Sequence, residues 1–454
     1  MKSYLKELPK FLKIGIPIYG SQASYIAMSV TDTLVAGNAG KTELAGVAIA
    51  SAIGTPLFFA FSGLIFAVTP IIAQLHGGQR FKEISSKMKE ILWIALTIGI
   101  LLFGMYQIGG WIINLYGESL LDLEKPTIRV IDGYLNAVSF GVIAMVMFTA
   151  LRCFSEGLTK TLPVFLVAFG GMIINIPLDI ILVYGLFGLP KMGGIGCGIA
   201  TSIVYVSMMF AFLILMVSKE SYRRFNIFSK IRLPQKSTIV EILKLGIPIG
   251  LGIFIELSMF SGAALILAPL GDIVIASHSI ALNIASFAFV MPLSIGLAAA
   301  TRVGNLIGAN NLKGAKLSSQ LTLSIGFIGA VFNTIIILIF NEFLAGLYSN
   351  EIVVIALASK ILILAAVFQL PDGIQMGAAG ALRGYKDTFI PMLLLLIAYW
   401  GFGLPIGFIL THYGLNEPMG VYGMWIGMII GLTVFAIMVV MRLNYIVNKS
   451  VRAI

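Results

Sequence analysis

The chain has 454 residues, of which 59% are hydrophobic and 11% are charged, and its formal net charge is +10. Soluble domains carry about 25% charged residues, so this composition excludes a soluble globular protein and predicts an integral membrane protein. The two cysteines, Cys153 and Cys197, imply no disulfide framework, and we expect both among apolar neighbours.

Apolar runs long enough to cross a ~30 Å hydrocarbon layer as helices follow one another along the whole chain. We place their starts near residues 12, 46, 90, 128, 162, 194, 241, 276, 317, 354, 389 and 420. The runs lack the alternation of β-barrel strands. The predicted fold is therefore an all-α polytopic membrane protein with twelve transmembrane helices.

Lysine and arginine are distributed unevenly between the two sets of alternating loops. The side that holds the N-terminus carries 25 of them, and the other side carries five, namely Lys41, Lys125, Arg129, Lys191 and Lys360. Positive charge concentrates on cytoplasmic loops, so we predict that both termini are cytoplasmic. The same distribution accounts for the net charge without nucleic acid.

The sequence repeats itself after about half its length. "KIGIPI" at 13–18 returns as "KLGIPI" at 244–249, and "ALR" at 150–152 returns at 381–383 with the same offset of 231. Each half holds six spans, so the two copies enter the membrane from the same side. We predict two pseudo-symmetric six-helix lobes around a central cavity, with an N-lobe at 1–218, a basic cytoplasmic linker at 219–240 and a C-lobe at 241–454.

No pattern in the sequence indicates an enzyme. Gly40-Lys41-Thr42 lacks the preceding glycine of a P-loop, since position 35 is valine, and "GGIGCG" at 193–198 lacks the spacing of a dinucleotide fold. We predict no catalytic residue and no cofactor. Because the chain does not hydrolyse ATP, any active transport must use an ion gradient.

Four of the twenty acidic residues fall inside predicted spans: Asp32, Asp179, Glu256 and Asp372. A charge at mid-bilayer is costly and usually functional, although each of the four has a structural or interfacial alternative. They lie two in each half, at positions that the repeat does not relate. Each lobe is therefore expected to have its own chemistry.

The fifth span places Asn175 and Asp179 four residues apart, on one helical face, with Pro177 between them. Proline loosens a helix and frees nearby carbonyl groups. A carboxylate, an amide oxygen and free carbonyls suit Na+, and a buried carboxylate equally suits a proton. A hydrogen-bonded kink without any ion is the competing interpretation.

Several segments together resemble the multidrug and toxic compound extrusion (MATE) family, of the NorM type, over essentially the whole chain. They are "DTLVAGNAG" at 32–40, "PLFFAFSGLIFAVTPIIAQLHGG" at 56–78, "SEGLTKTLP" at 155–163, "NIPLDIILVYG" at 175–185, "GGIGCGIAT" at 193–201 and "QLPDGIQMGAAGALRGYKD" at 369–387.

The resemblance implies export of cationic, amphipathic compounds such as dyes and fluoroquinolone-like drugs in exchange for inward Na+ or H+. It maps an ion site of the N-lobe onto Asp32, Asn175, Asp179 and Thr201, with Na+ possible at the first three. It maps the carboxylates of the C-lobe, which bind ion or substrate, onto Glu256 and Asp372.

The sequence departs from the family pattern at two places. Many NorM relatives carry asparagine where this chain has Asp179, which makes the predicted N-lobe site more anionic. Some relatives carry tyrosines where Phe289 and Phe368 stand, so the resemblance does not predict coordination by phenol oxygens there. Both rings remain candidates for stacking on a cationic substrate.

Further residues are assigned to the cavity and to its movement. Adaptable thioethers suit promiscuous binding, so we assign Met28, Met259, Met291 and Met376 to the cavity lining, against the alternative that each is packed or faces lipid. Rocking of the lobes would give alternating access, with hinges expected at Pro17, Pro177, Pro248 and Pro371.

Two other functions stay open at this point. A passive channel would conduct ions without exchange and would not need Glu256 or Asp372. A flippase for a lipid-linked precursor would want a basic cavity, whereas the intramembrane charges here are acidic. We expect a monomer in the bacterial inner membrane whose partners are organic cations, Na+ or H+ and the lipid bilayer.

Overall fold

The computed structural model describes residues 2–121, 123–229, 232–414 and 416–452, and their regular structure is helical throughout. In chain order the helices are α1 (Lys2–Ala39), α2 (Lys41–Phe66), α3 (Val68–Gly77), α4 (Phe81–Leu121), α5 (Lys125–Gly157), α6 (Leu162–Tyr184), α7 (Gly194–Ser218), α8 (Glu220–Arg223), α9 (Lys236–Leu267), α10 (Asp272–Ala288), α11 (Val290–Gly308), α12 (Leu312–Gly346), α13 (Ile352–Gly384), α14 (Phe389–Leu396), α15 (Leu404–His412) and α16 (Val421–Arg452).

The predicted all-α membrane fold is confirmed. Within the described residues, 11 helical segments are long and apolar enough to cross a membrane, and α2–α3, α10–α11 and α14–α15 each count as one. Helix α1, with 38 residues, is the twelfth long helix. Each predicted start falls within or beside the beginning of one of these helices.

The chain folds into two compact units. The first, here called the N-unit, is Gly20–Gly250; the second, the C-unit, comprises Met1–Tyr19 and Leu251–Ile454. The first half of α1 and the first half of α9 thus belong to a different unit from the rest of their helices. The division at 1–218 and 241–454 describes the repeat in the sequence and stays a prediction.

The beginning of α1 is held in the C-unit by apolar packing and by one ion pair. Phe11, Ile14 and Ile18 are at most 5% exposed and share a core with residues of α11, including Ala298. The guanidinium of Arg302 donates from Nε to Glu7 Oε1 at 2.6 Å and from its Nη2 to Oε2 at 2.9 Å. Because both side chains are largely buried, the pair forms a bidentate contact that water does not replace.

Replacing Glu7 by alanine is expected to destabilise the C-unit, because the buried guanidinium of Arg302 loses its partner. Removing one member of a buried pair costs about 3–5 kcal/mol. Thermal unfolding in detergent should therefore show a clearly lower midpoint. The matched control is Glu83→Ala, which breaks the exposed pair with Arg80 and should leave the midpoint unchanged. Equal midpoints for the two variants would contradict the assignment.

Helix α5 extends to Gly157 and includes the charged residues of "LRCFSEG" at 151–157, which are helical and buried. Arg152 Nε lies 3.5 Å from Glu156 Oε1, one turn further along. The guanidinium also lies 5.5 Å from the ring centre of Tyr25 and 5.6 Å from that of Phe66. Because Arg152 pairs with Glu156 and contacts two aromatic rings, both charges can be buried at the end of α5.

The basic segment between α7 and α9 packs onto the N-unit, although residues 230 and 231 of the predicted linker lie outside the described part. Tyr222 and Phe225 are each 2% exposed. The hydroxyls of Ser155 and Tyr222 are hydrogen-bonded at 2.5 Å, and Arg232 Nε lies 2.9 Å from Glu90 Oε1. These contacts attach the segment to α4 and α5 of the N-unit.

Two interruptions of α-helical geometry occur away from the four prolines that we predicted as hinges. A single residue, Phe289, separates α10 from α11, and Pro292 lacks the N–H that would bond to the carbonyl of Ala288. Asn333 Nδ2 donates to that carbonyl at 2.8 Å instead. A π-helical segment, Ile397–Gly403, joins α14 to α15.

Candidate functional site

Two helices of the N-unit, α6 and α7, bring polar side chains to Asp32 on α1. Thr201 on α7 donates from Oγ1 to Asp32 Oδ2 at 3.0 Å. Asn175 on α6 donates from Nδ2 to Asp32 Oδ1 at 3.4 Å. The thiol of Cys197 lies 3.6 Å from the Asp32 carbonyl oxygen. The structure therefore brings together the residues that were assigned to the N-lobe site.

Asp179 completes this group, one helical turn after Asn175. Its side chain is 0% exposed, and its carboxyl group lies against that of Asp32. Among the described residues, no donor reaches Asp179 Oδ1, Asp179 Oδ2 or Asn175 Oδ1. Buried oxygens without donors are costly, and two adjacent carboxylates repel each other when both are ionised. Both features suit a small hard cation or a proton.

The C-unit carries a second acidic pair on α9 and α13. Asp372 is 2% exposed and accepts a hydrogen bond at 2.9 Å from Gln375 Nε2. The rings of Phe260 and Phe368 lie 6.2 Å apart, and the seventh and tenth spans run in opposite directions. Glu256 lies one turn before Phe260 on α9, and Asp372 lies one turn after Phe368 on α13. The packing therefore brings the two carboxylates to the same level, within electrostatic range of each other.

The four intramembrane carboxylates have no close cationic partner. In the part of the chain that the structure describes, no Lys, Arg or His nitrogen lies within 4.0 Å of Asp32, Asp179, Glu256 or Asp372. Arg383, in the last turn of α13, interacts with Glu256 only at longer range. The carboxylates are thus available to an exchangeable cation.

The residues assigned to the cavity lining are mostly enclosed within their own units. Met28, Met376 and Phe368 are 5–6% exposed and Met259 is 0% exposed, whereas Phe289 and Met291 are half-buried. Met259 and Phe368 lie in the apolar core of the C-unit. Their contact with substrate stays a prediction, and the packed alternative describes these two residues well.

The four predicted hinge prolines all lie inside uninterrupted helices. Pro17 is in α1, Pro177 in α6, Pro248 in α9 and Pro371 in α13. Proline removes one backbone hydrogen bond from a helix without necessarily ending it. Their role in movement stays a prediction.

Several buried polar groups were not identified from the sequence. Gln369 is 0% exposed, and neither atom of its amide has a partner among the described residues. The hydroxyl of Tyr399 is likewise buried and unpartnered within that part of the chain. His278 accepts a hydrogen bond at Nδ1 from Trp425 Nε1 at 3.2 Å. The burial of these polar groups depends on tertiary packing, which no pattern in the sequence displays.

An open cleft of about 620 Å³ on the N-unit is lined by residues of α5 and α7, and none of the four acidic residues is among them. Its lining includes Phe140 and Ile203, which are 65% and 42% exposed, so we assign it to the lipid-facing surface. The predicted site residues lie elsewhere in the two units.

Comparison with known proteins covers the chain almost from end to end. The sequence profile of the MatE family matches residues 17–181 and 248–409. "Multidrug resistance protein NorM" of Photobacterium profundum is 40% identical over 452 residues, 99% of this chain and 98% of that protein. "Multidrug resistance protein MdtK" of Proteus mirabilis is 38% identical over 452 residues, again 99% and 98% of the two chains.

Solved structures share the fold at lower identity. The "eukaryotic MATE transporter AtDTX14" superposes with a TM-score of 0.87 at 22% identity, covering 98% of both chains. An "outward-facing conformation of a multidrug resistance MATE family transporter" gives 0.85 at 20% identity, covering 96% of each chain. At these identities the likeness concerns the arrangement of helices.

Proposed function

The chain belongs to the MatE family of multidrug and toxic compound extrusion transporters, and on that premise we propose that it exports cationic, amphipathic compounds in exchange for Na+ or H+. The observation that carries this proposal is the group of donor-free acceptor oxygens on Asn175 and Asp179, placed against Asp32 in the described part of the N-unit. Acceptor oxygens without hydrogen-bond donors, placed beside a carboxylate, are the ligands that a reversible site for a small cation requires.

The exchange follows from competition between charges. An organic cation is attracted by the carboxylates of Glu256 and Asp372, and inward-moving Na+ or H+ neutralises acidic groups that would otherwise hold it. Binding of one cation then weakens binding of the other, and this coupling is reciprocal. In the N-unit, Asp32 and Asp179 supply the charge while Asn175 and Thr201 fix the position of the Asp32 carboxylate.

The proposed setting is the bacterial inner membrane, with a monomer whose two termini are cytoplasmic, as the basic loops indicate. The chemistry needs no cofactor, since the ion gradient supplies the free energy. A flippase for an anionic lipid precursor is disfavoured because the buried, unpaired side chains are acidic. A passive channel would conduct ions without exchanging them for a substrate, and it would not need Glu256 or Asp372 to bind an organic cation.

Ethidium efflux from proteoliposomes under separately imposed Na+ and H+ gradients tests the proposal. We expect at least one gradient to drive export against an ethidium gradient. If a pH gradient drives export while a Na+ gradient changes nothing, Na+ is excluded as the coupling ion. The exchange proposal fails if neither gradient drives export, and ion conductance without ethidium exchange would instead indicate a channel.

A further inference from the structure

Tyr399 presents a buried hydroxyl group that nothing in the described structure explains. The residue is 0% exposed and its hydroxyl has no hydrogen-bond partner among the described residues. The ring itself is held by Phe435, with ring centres 5.9 Å apart. Leaving a hydroxyl buried and unpaired is costly, so a hydroxyl in such a place requires an explanation, and a bound ligand is one that its surroundings support.

The depth of Tyr399 is fixed by how α9 packs along the segment from α14 to α15. A Cβ at Gly252 would lie 3.8 Å from Leu395 Cδ2, and one at Gly262 would lie 3.4 Å from Leu404 Cδ1. Between these two contacts, Trp400 Nε1 donates to Ser258 Oγ at 3.2 Å. The register places position 399 level with position 256 on α9.

Glu256 and Asp372 are therefore the carboxylates at the level of Tyr399. The contact between Phe260 and Phe368 brings the carboxylates of α9 and α13 to one depth, within electrostatic range of the Tyr399 hydroxyl. Three helical elements of the C-unit thus direct two acidic groups and one phenol towards the same region.

The backbone around Tyr399 departs from regular α-helical geometry. Residues Ile397–Gly403 are π-helical, which widens the turn and changes the direction of the side chains that follow. Pro405, two residues after the segment, cannot donate to the carbonyl of Gly401, and this favours the wider turn. Single π-helical turns inside α-helices are frequent at functional sites.

A second unpartnered group lies nearby on α13. The amide of Gln369 is fully buried three residues before Asp372, with neither its oxygen nor its nitrogen paired among the described residues. Gln375, three residues after Asp372, uses its amide to donate to that carboxylate. The region therefore contains more oxygen acceptors than its described neighbours satisfy.

We propose that the Tyr399 hydroxyl is a neutral oxygen ligand for the cation bound in the C-unit, beside the charged ligands Glu256 and Asp372. This rests on the proposed cation exchange and adds a specific residue to it. With Na+, a phenol oxygen lone pair coordinates the ion while the hydroxyl proton bonds to a carboxylate. With H+, the hydroxyl hydrogen-bonds to the carboxyl group that holds the proton. Hard cations of this kind prefer oxygen ligands.

The test is Tyr399→Phe, which removes only the hydroxyl and keeps the ring against Phe435. Ethidium efflux from proteoliposomes is measured over a Na+ series at fixed pH and over a pH series without Na+. We expect the cation concentration for half-maximal export to rise about tenfold, since a hydrogen bond or contact to a charged group is worth about that factor. Maximal export at saturating cation should be kept.

Two further variants separate the possible outcomes. Tyr413→Phe, at an exposed tyrosine after α15, is the matched control and should behave as wild type. In the Tyr399→Phe background, Phe368→Tyr returns a phenol one turn from Asp372 and should lower the half-maximal concentration again. A restored cation affinity is not expected if Tyr399 only supports packing.

The proposal is overturned if Tyr399→Phe leaves both cation series unchanged while Asp372→Asn shifts one of them. If Asp372→Asn also leaves both unchanged while wild type still exports, the C-unit carboxylate is not a coupling group, and the ligand role of Tyr399 falls with it. If wild type itself shows no cation-driven export, the proposed function fails before Tyr399 is in question.

Discussion

Asp32→Asn should reduce cation-driven ethidium export about tenfold or more, because it removes the negative charge of the carboxylate that Asn175 and Thr201 contact. Coupling between two ligands is typically worth about 1–3 kcal/mol, or 5–150-fold in affinity. The substitution keeps the size of the side chain, and Thr201 and Asn175 can still bond to its amide. Export and folding are measured together, by efflux from proteoliposomes and by thermal unfolding in detergent.

Asp179→Asn provides the informative contrast within the same site. Its amide donates to the neighbouring Asp32 carboxylate, which relieves the repulsion between two acids and keeps one charge in the site. We expect this variant to retain more export than Asp32→Asn. Asp272→Asn, at the exposed start of α10, is the matched control for loss of a carboxylate. Wild-type export by Asp32→Asn would show that the N-unit site does not couple ion and drug.

Gly373→Ala is expected to have the second large effect, through packing beside Asp372. A Cβ at Gly373 would collide with the carbonyl oxygen of Gly326 on α12, and a Cβ at Gly326 would collide with the carbonyl oxygen of Gly373. Because the obstacle is backbone on both sides, α12 and α13 must move apart. Overpacking costs about 1–3 kcal/mol or more, so both the unfolding midpoint and export should fall.

The control for this prediction is Gly170→Ala, since a Cβ at Gly170 in α6 would meet no described atom within 4 Å. Alanine has the better helix propensity there, and the substitution should leave stability unchanged or raise it by up to about 1 kcal/mol. A Gly373→Ala protein as stable and active as Gly170→Ala would mean that the contact between α12 and α13 is looser than described.

Much of the N-unit site could be predicted because its signals are local. Asn175 and Asp179 share a helical face by their spacing alone, and an acidic residue inside an apolar run identifies Asp32. That these residues and Thr201 meet came only from the resemblance to a family, since no pattern within one helix specifies which neighbour it faces. The structure supplies the distances that join them.

The C-unit shows why the remaining features were missed. Glu256 and Asp372 were visible as charges, but Tyr399 lies in an apolar run rich in aromatic residues and has no distinguishing neighbour in the sequence. Its significance depends on the register between α9 and the Ile397–Gly403 segment, which tertiary packing sets. Gly373 is likewise one of 49 glycines in the sequence, and only the structure shows that it permits close packing of α13 against α12.

The allocation of α1 and α9 to the units has a consequence for how the protein is made. Phe11, Ile14 and Ile18 leave the ribosome early, yet the residues of α11 that cover them are synthesised much later. The first half of α9 packs against backbone of α2, at Leu64 and Gly63. If the gene were divided between α7 and α9, the first fragment would encode the first half of α1 without α11. The second fragment would encode the first half of α9 without α2. We therefore expect neither fragment to complete its own packing, and we expect biogenesis of the two units to be interdependent from the first helix onwards.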